Sequence, residues 1–258
     1  MKYPIEEIKN YMESWAKNDY QLSWDNSGSQ VEFKDFTKSV VLAMDVTDKV
    51  IDKALETGSK LIISHHPMFF SGNKNIIEGS YLGDNIIKLI KNNISVFSYH
   101  TSMDVADDGV NDTLFENLNL QNKSVLTYEE EKAMGLVGEF ESEYSLEELD
   151  EFFKEKLQVK KIKYYGRFNR KIKKVAILGG SGADFINLAK NKGVDAYITS
   201  DIKYHDGQRA YEEDFILIDL GHFYSERIIL PKIKKRLQEN FKELNFYIQE
   251  ESSFELDI

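Results

Sequence analysis

Cysteine is absent from this 258-residue chain. Disulfides and thiolate metal sites are therefore excluded, and any metal must be held by nitrogen and oxygen. Positive charge is also short: 33 Lys and Arg stand against 44 Asp and Glu, a net charge of −11. A surface that acidic repels nucleic-acid phosphates unless a local patch overrides it. The two basic clusters, Lys171-Ile172-Lys173-Lys174 and Lys232 to Arg236, read as a strand entry and a solvated helix face. Nucleic acid is thus not an expected partner. No apolar run approaches the ~18 residues of a membrane span. The Glu-rich amphipathic stretch from Met1 to Lys17 lacks the basic start and apolar centre of a signal peptide. The expectation is a cytoplasmic protein that engages no membrane. Apolar residues at 41% suffice for a core, in one large domain or two small ones.

Histidine is scarce as well, with five in the chain, and two of them are adjacent: His65-His66, at the end of the apolar run Leu61-Ile62-Ile63-Ser64 and directly before Pro67. Neighbouring residues on a strand point to opposite faces. Two adjacent imidazoles converge only where regular strand geometry ends, and Pro67, with fixed φ and no N–H, is a reason for it to end there.

The chain can be laid over itself. Helical patterns open at Ile5-Glu6-Glu7-Ile8 and at Leu146-Glu147-Glu148-Leu149, the second with Ser145 and Glu148 placed for a capping box. Extended stretches follow (Gln30 to Phe33; Lys161 to Tyr165), then apolar strands (Val40 to Met44; Val175 to Leu178). Helices come next (Lys49 to Glu56; Phe185 to Lys190), stopping near Gly58 and Gly193 as helix ends prefer. The pattern continues with strands at Leu61 to Ser64 and Tyr197 to Ser200, helices at Asp84 to Lys91 and Asp206 to Glu212, and strands at Val96 to Tyr99 and Phe215 to Leu220. The last strand of the first set ends in His100 with Asp104 four residues on; its counterpart ends near His222 with Glu226 four residues on. This alternation predicts an internally duplicated α/β protein: two interlinked pseudo-symmetric halves, 1–125 and 126–258, with largely parallel or mixed sheets. Residues 121–140 read as the connection between the halves.

In such sheets ligands gather beyond the carboxyl ends of strands, where His65, His66, His100 and His222 fall. A His and a carboxylate four apart share a helix face and can bind one ion. The candidate ligands are His65, His66, Asp104, His222 and Glu226, with Glu226 as the bridging carboxylate. Five ligands exceed one structural zinc and fit two divalent ions, Zn, Fe or Mn. His100 reads as a proton shuttle behind the ligands, and Asp201 and His205, at the second-half position equivalent to the His-His loop, as polar groups of the pocket. Gly179-Gly180-Ser181-Gly182 is either a phosphate cradle or a tight strand-to-helix turn. Asp25-Asn26-Ser27-Gly28 reads first as a turn and second as a loop that carries polar groups into a pocket.

Together these stretches resemble the Nif-three-like dinuclear metal-centre proteins, the GTP cyclohydrolase I type 2 homologues. The landmarks are Asp25-Asn26-Ser27-Gly28, Ser64-His65-His66-Pro67, His100-Thr101-Ser102-Met103-Asp104 with Gly109-Val110-Asn111-Asp112, Gly179-Gly180-Ser181-Gly182, Ala196 to His205, and Gly221-His222 with Ser225-Glu226. The resemblance covers nearly the whole chain. It implies a duplicated α/β fold, two divalent ions per subunit on the same five residues, and a toroidal homohexamer built as a trimer of dimers. It also implies that the domain inserted in longer relatives is missing. The loop here reads His-Thr-Ser-Met-Asp where His-Thr-Asn-Leu-Asp is commoner, and Glu32 stands where a glycine often does; neither position is a ligand. The implied activity is that of a metal-dependent hydrolase, of cyclohydrolase or phosphoesterase type, acting on a small nucleotide-like ligand. The alternative is a non-enzymatic metal-binding, metal-delivery or partner-binding scaffold.

Overall fold

A computed structural model of the chain describes residues 2–249, 252 and 254. Two compact units account for it: one runs to Ala106 and resumes at Ile229, the other runs from Asp107 to Ile228.

In the first unit a short antiparallel pair, β1 (Tyr3–Pro4) with β3 (Phe36–Thr37), stands apart from a five-stranded sheet. The order across that sheet is β13 (Asn245–Ile248), β4 (Ser39–Ala43), β5 (Leu61–Ser64), β6 (Ser95–Ser98) and β2 (Gly28–Val31). Pairing is parallel except for β2, which runs antiparallel to β6. Every residue of β4, β5 and β6 is buried, as expected of parallel strands covered on both faces. The helices are α1 (Ile5–Trp15), α2 (Asp48–Thr57), α3 (Tyr81–Lys91), α4 (Thr101–Val105) and α10 (Ile229–Asn240). On α1 the buried residues Ile5, Ile8, Met12 and Trp15 follow helical spacing, so one stripe faces inward. On α2, Thr47 caps the start through the Val50 N–H, and Gly58 ends it with φ 66°, a left-handed position that glycine occupies without strain. Val41, Ile51, Ile62, Leu89 and Val96 form the centre of this core.

The C-terminal segment belongs to the first unit. Strand β13 pairs with β4 from Asn245↔Ser39 to Ile248↔Leu42. On α10 the Arg236 guanidinium sits 4.1 Å from the Trp15 ring centroid, and Phe241 meets Tyr3 and Tyr11 edge-on. Sheet pairing and aromatic packing return this last stretch to the first unit.

The second unit holds a six-stranded sheet. Its order is β7 (Gln121–Glu129), β8 (Lys132–Tyr144), β10 (Ile172–Ser181), β11 (Ala196–Ser200), β12 (Ile216–Asp219) and β9 (Lys163–Tyr165). The middle three, β10, β11 and β12, are parallel; β8 and β9 flank them antiparallel. The helices are α5 (Val110–Asn117), α6 (Leu146–Leu157), α7 (Ile186–Asn191), α8 (Tyr204–Glu212) and α9 (His222–Glu226). The α6 capping box is present, with the Ser145 side chain on the Glu148 N–H and the Glu148 carboxylate on the Ser145 N–H. Phe153, Ile177, Ile198 and Ile218 lie in the core.

Residues 121–140 are not a connection. They belong to the β7–β8 hairpin, turned by Glu130 and Glu131 with φ 48° and 65°. The start of β7 is exposed and polar, so it lacks the apolar alternation that marks a strand in sequence. Elsewhere the α/β expectation matches: each unit carries a parallel trio with an antiparallel strand beyond its third member.

Candidate metal centre

In the first unit the parallel trio delivers chemistry at its carboxyl ends. Asp45 lies just past β4, His65 and His66 follow β5, and His100 follows β6. Regular pairing stops at Ser64, although the His65 and His66 N–H groups still donate to Ala43 and Met44. Their rings lie 5.0 Å apart and 5.3 and 5.5 Å from the His100 ring. His65, His66 and His100 each offer a nitrogen within 4.8 Å of the others, a group that can hold a metal ion. On α4, Asp104 brings Oδ1 to 3.7 Å from His65 Nε2.

What stands behind these rings fixes which nitrogen faces the cluster. His65 Nδ1 is 2.8 Å from the Tyr99 carbonyl, His66 Nδ1 is 2.8 Å from Asp45 Oδ1, and His100 Nδ1 is 2.9 Å from Asp25 Oδ1. A carbonyl or carboxylate oxygen only accepts, so each Nδ1 carries a proton and Nε2 is the nitrogen left to face the cluster. Metal-ligating histidines are oriented in this way. The donor set of imidazole nitrogen and carboxylate oxygen therefore fits Zn, Fe or Mn.

Asp25 is itself strongly held. Besides His100 it accepts from the Asn26 N–H, the Ser27 hydroxyl, and the Thr101 N–H and hydroxyl. Burial raises its pKa, but the His100 hydrogen bond and charge, with the two hydroxyls, outweigh that and keep it well below the usual carboxylate range. Of the two readings of this stretch, a turn or a carrier of polar groups into a pocket, the contacts of Asp25 favour the second: it anchors His100.

The second unit carries a smaller cluster. His222 opens α9 after Gly221, and Glu226 comes one turn later, with His222 Nε2 3.1 Å from Glu226 Oε2. Asp201, beyond β11 with φ 57°, brings Oδ2 to 2.7 Å from His222 Nδ1. Burial alone would lower the His222 pKa; the Glu226 charge, hydrogen bonds to Asp201 and Glu226, and the Asp201 charge push it up to about 11. The ring is thus held from both sides, Nδ1 on Asp201 and Nε2 on Glu226, and a divalent cation on the Nε2 side would take the place of the proton shared with Glu226.

The two His-x-x-x-carboxylate devices differ in geometry. His222 lies inside its helix and so shares a face with Glu226. His100 is the N-cap of α4, with φ −91° and ψ −110°; outside the helical turn it faces Asp25 instead, and Asp104 pairs with His65.

The Gly179-Gly180-Ser181-Gly182 run provides room rather than a phosphate cradle. A Cβ on Gly180, whose φ is +69°, would overlap Glu226 Oε1. The Gly179 and Gly180 N–H groups are already donated to Asn111 Oδ1 and Ser225 Oγ. His205 lies exposed on α8 beside Gln208. Asp45 and the role of Asp25 escape sequence reasoning. The available signal was Asp45's place at a parallel strand end, one strand from the His-His pair.

Among the described residues, no helix is long and apolar enough to cross a membrane. A Clostridium perfringens protein named GTP cyclohydrolase 1 type 2 homolog is 36% identical over 96% of this chain and 97% of its own length. A solved Bacillus cereus protein related to NIF3 matches at 25% identity and TM-score 0.91, over 99% of each chain. Reduced HcgD from Methanocaldococcus jannaschii matches at 27% identity and TM-score 0.85, over 96% of this chain and 98% of that one. The family model Duf34/NIF3 (NGG1p interacting factor 3) aligns with residues 3–253, so with both histidine clusters inside that span the chain belongs to the Duf34/NIF3 family.

Proposed function

We propose that His65, His66, Asp104, His222 and Glu226 together ligate two divalent ions and that the protein is a hydrolase of a small nucleotide-like substrate. The observation that carries this reading is the anchoring of each imidazole by its Nδ1, to Tyr99, Asp45 and Asp201, which costs ordering free energy and is repaid when Nε2 binds a cation. Bound ions would supply Lewis-acid polarisation of a substrate oxygen and activation of water. Glu226 would be the carboxylate that the two ions share. His100 is the residue that moves protons: Asp25 holds its Nδ1, which leaves Nε2 to face the imidazole cluster. The names of the relatives point to purine chemistry, and hydrolytic ring opening is the reaction class proposed. The assembly proposed is a homohexamer.

Turnover of GTP, phosphodiesters and dinucleotides by the metal-loaded protein, beside a His65→Ala variant, tests the activity. Metal-dependent turnover lost in the variant is the expected result. Tight, exchangeable metal without turnover on any of these substrates would replace the hydrolase with a metal-delivery or scaffold role.

A further inference from the structure

Within the first unit Trp24, Asp25, Asn26, Gln30 and Phe70 help to line a cavity of about 590 Å³, within the size range of small-ligand sites, roughly 300–1,000 Å³. Two of its walls are aromatic. Trp24 and Phe70 are 53% and 55% exposed, although large aromatic side chains are normally covered. Their ring centroids lie 6.4 Å apart with 30° between planes, and both rings stand 5.7 Å from the His100 ring, edge-on to it. Exposed to this degree, the two rings offer aromatic surface on which a flat ligand ring can stack.

The remaining lining gives the occupant its chemistry. Ile86 and Ile90 supply an apolar side. Asn26 ties the loop carrying Phe70 to the turn carrying Asp25, through its Nδ2 on the Phe69 carbonyl at 2.8 Å. Gln30 Oε1 receives only long bonds, 3.4 Å from Asn26 Nδ2 and 3.4 Å from the Phe69 N–H. An acceptor so weakly engaged gains by taking a shorter bond from a ligand N–H. Among the described residues no Lys or Arg lines the cavity, so none of them pairs there with a phosphate.

We infer that this cavity is the base subsite: it stacks a bicyclic heteroaromatic ring of purine class on the exposed surface of Trp24 and Phe70, the two rings that flank His100, and bonds the ring edge at Gln30. As a substrate subsite it rests on the hydrolase reading above; as a binding site it does not need the metals. The phosphates of a nucleotide contribute little affinity here. A polynucleotide is disfavoured by the net charge of −11.

The test uses metal-stripped full-length protein. The chain has two tryptophans, so a Trp15→Phe variant reports Trp24 alone. Guanosine should quench that emission, and calorimetry on the wild type should give guanosine and GTP dissociation constants within about threefold of each other. Trp24→Leu and Phe70→Leu should each weaken guanosine binding about tenfold or more, the weight of one base–aromatic stack, with Trp24→Tyr restoring most of it. Circular dichroism and metal content of the reloaded variants should match wild type, which separates failure of this subsite from failure of the metal centre. Unchanged affinity in folded Leu variants would overturn the inference. So would binding of inorganic tripolyphosphate but not guanosine, or a ten-nucleotide strand binding more than tenfold tighter than guanosine.

Discussion

Asp45 is the residue whose removal says most about the cluster. It touches no proposed substrate, yet it holds His66 through Nδ1 at 2.8 Å. Asp45→Ala should weaken divalent-metal affinity by about 10- to 100-fold, measured by competition with a chromogenic chelator, while thermal stability of the metal-free protein barely changes. Gly180→Ala should cost both. Its Cβ would overlap Glu226 Oε1 at a backbone φ of +69° that alanine adopts only with strain. Elemental analysis of the purified variant should show less bound metal, and its melting temperature should fall. The imidazoles were legible in the sequence because a rare residue type sat at strand ends with regular spacing. Their anchors were not: Asp25 lies 75 residues from His100 and Asp45 lies 21 from His66. An aspartate in a polar turn reads the same whether or not a distant ring leans on it.

At the scale of elements, α6 offers a clean test because its cap was legible and is present. Ser145→Ala should destabilise the protein by about 1 kcal/mol, read by urea unfolding near neutral pH. On the same helix, burial raises the Asp150 pKa, but hydrogen bonds from Lys154 and Tyr164 and the Lys154 charge outweigh it and leave the group below its ordinary 3.8. A depressed carboxylate contributes stability that is present above its unfolded value and lost as pH falls through its folded one. Tyr164→Phe removes one of those hydrogen bonds. The stability lost by wild type on acidification below about pH 4 should therefore be smaller in Tyr164→Phe, in unfolding series run against pH. Equal losses would assign the depression to Lys154 alone. Buried parallel strands such as Leu61–Ser64 announce themselves as continuous apolar runs. The β7–β8 hairpin did not, since an edge strand with exposed polar residues has no burial to impose a pattern.

For the molecule as a whole, the α/β plan was legible from the repeated order of elements, but the return of the C-terminal segment to the first unit was not. No local signal in residues 229–249 says which sheet they join; pairing of β13 with β4 and the Trp15–Arg236 stack are long-range choices made by packing. The homohexamer is checked by sedimentation velocity, where a single species at six times the 29.9 kDa chain mass is expected and a stable monomer would contradict it. The most direct test of the central claim, two ions on shared ligands, is electron paramagnetic resonance of protein loaded with Mn²⁺, with the manganese counted by elemental analysis. The account predicts about two ions per chain and a spin-coupled spectrum, since ions sharing a bridge lie roughly 3.5–4 Å apart, collapsing to an uncoupled six-line signal in Glu226→Gln. A manganese content near zero, or two ions giving only the uncoupled signal in wild type, would contradict it.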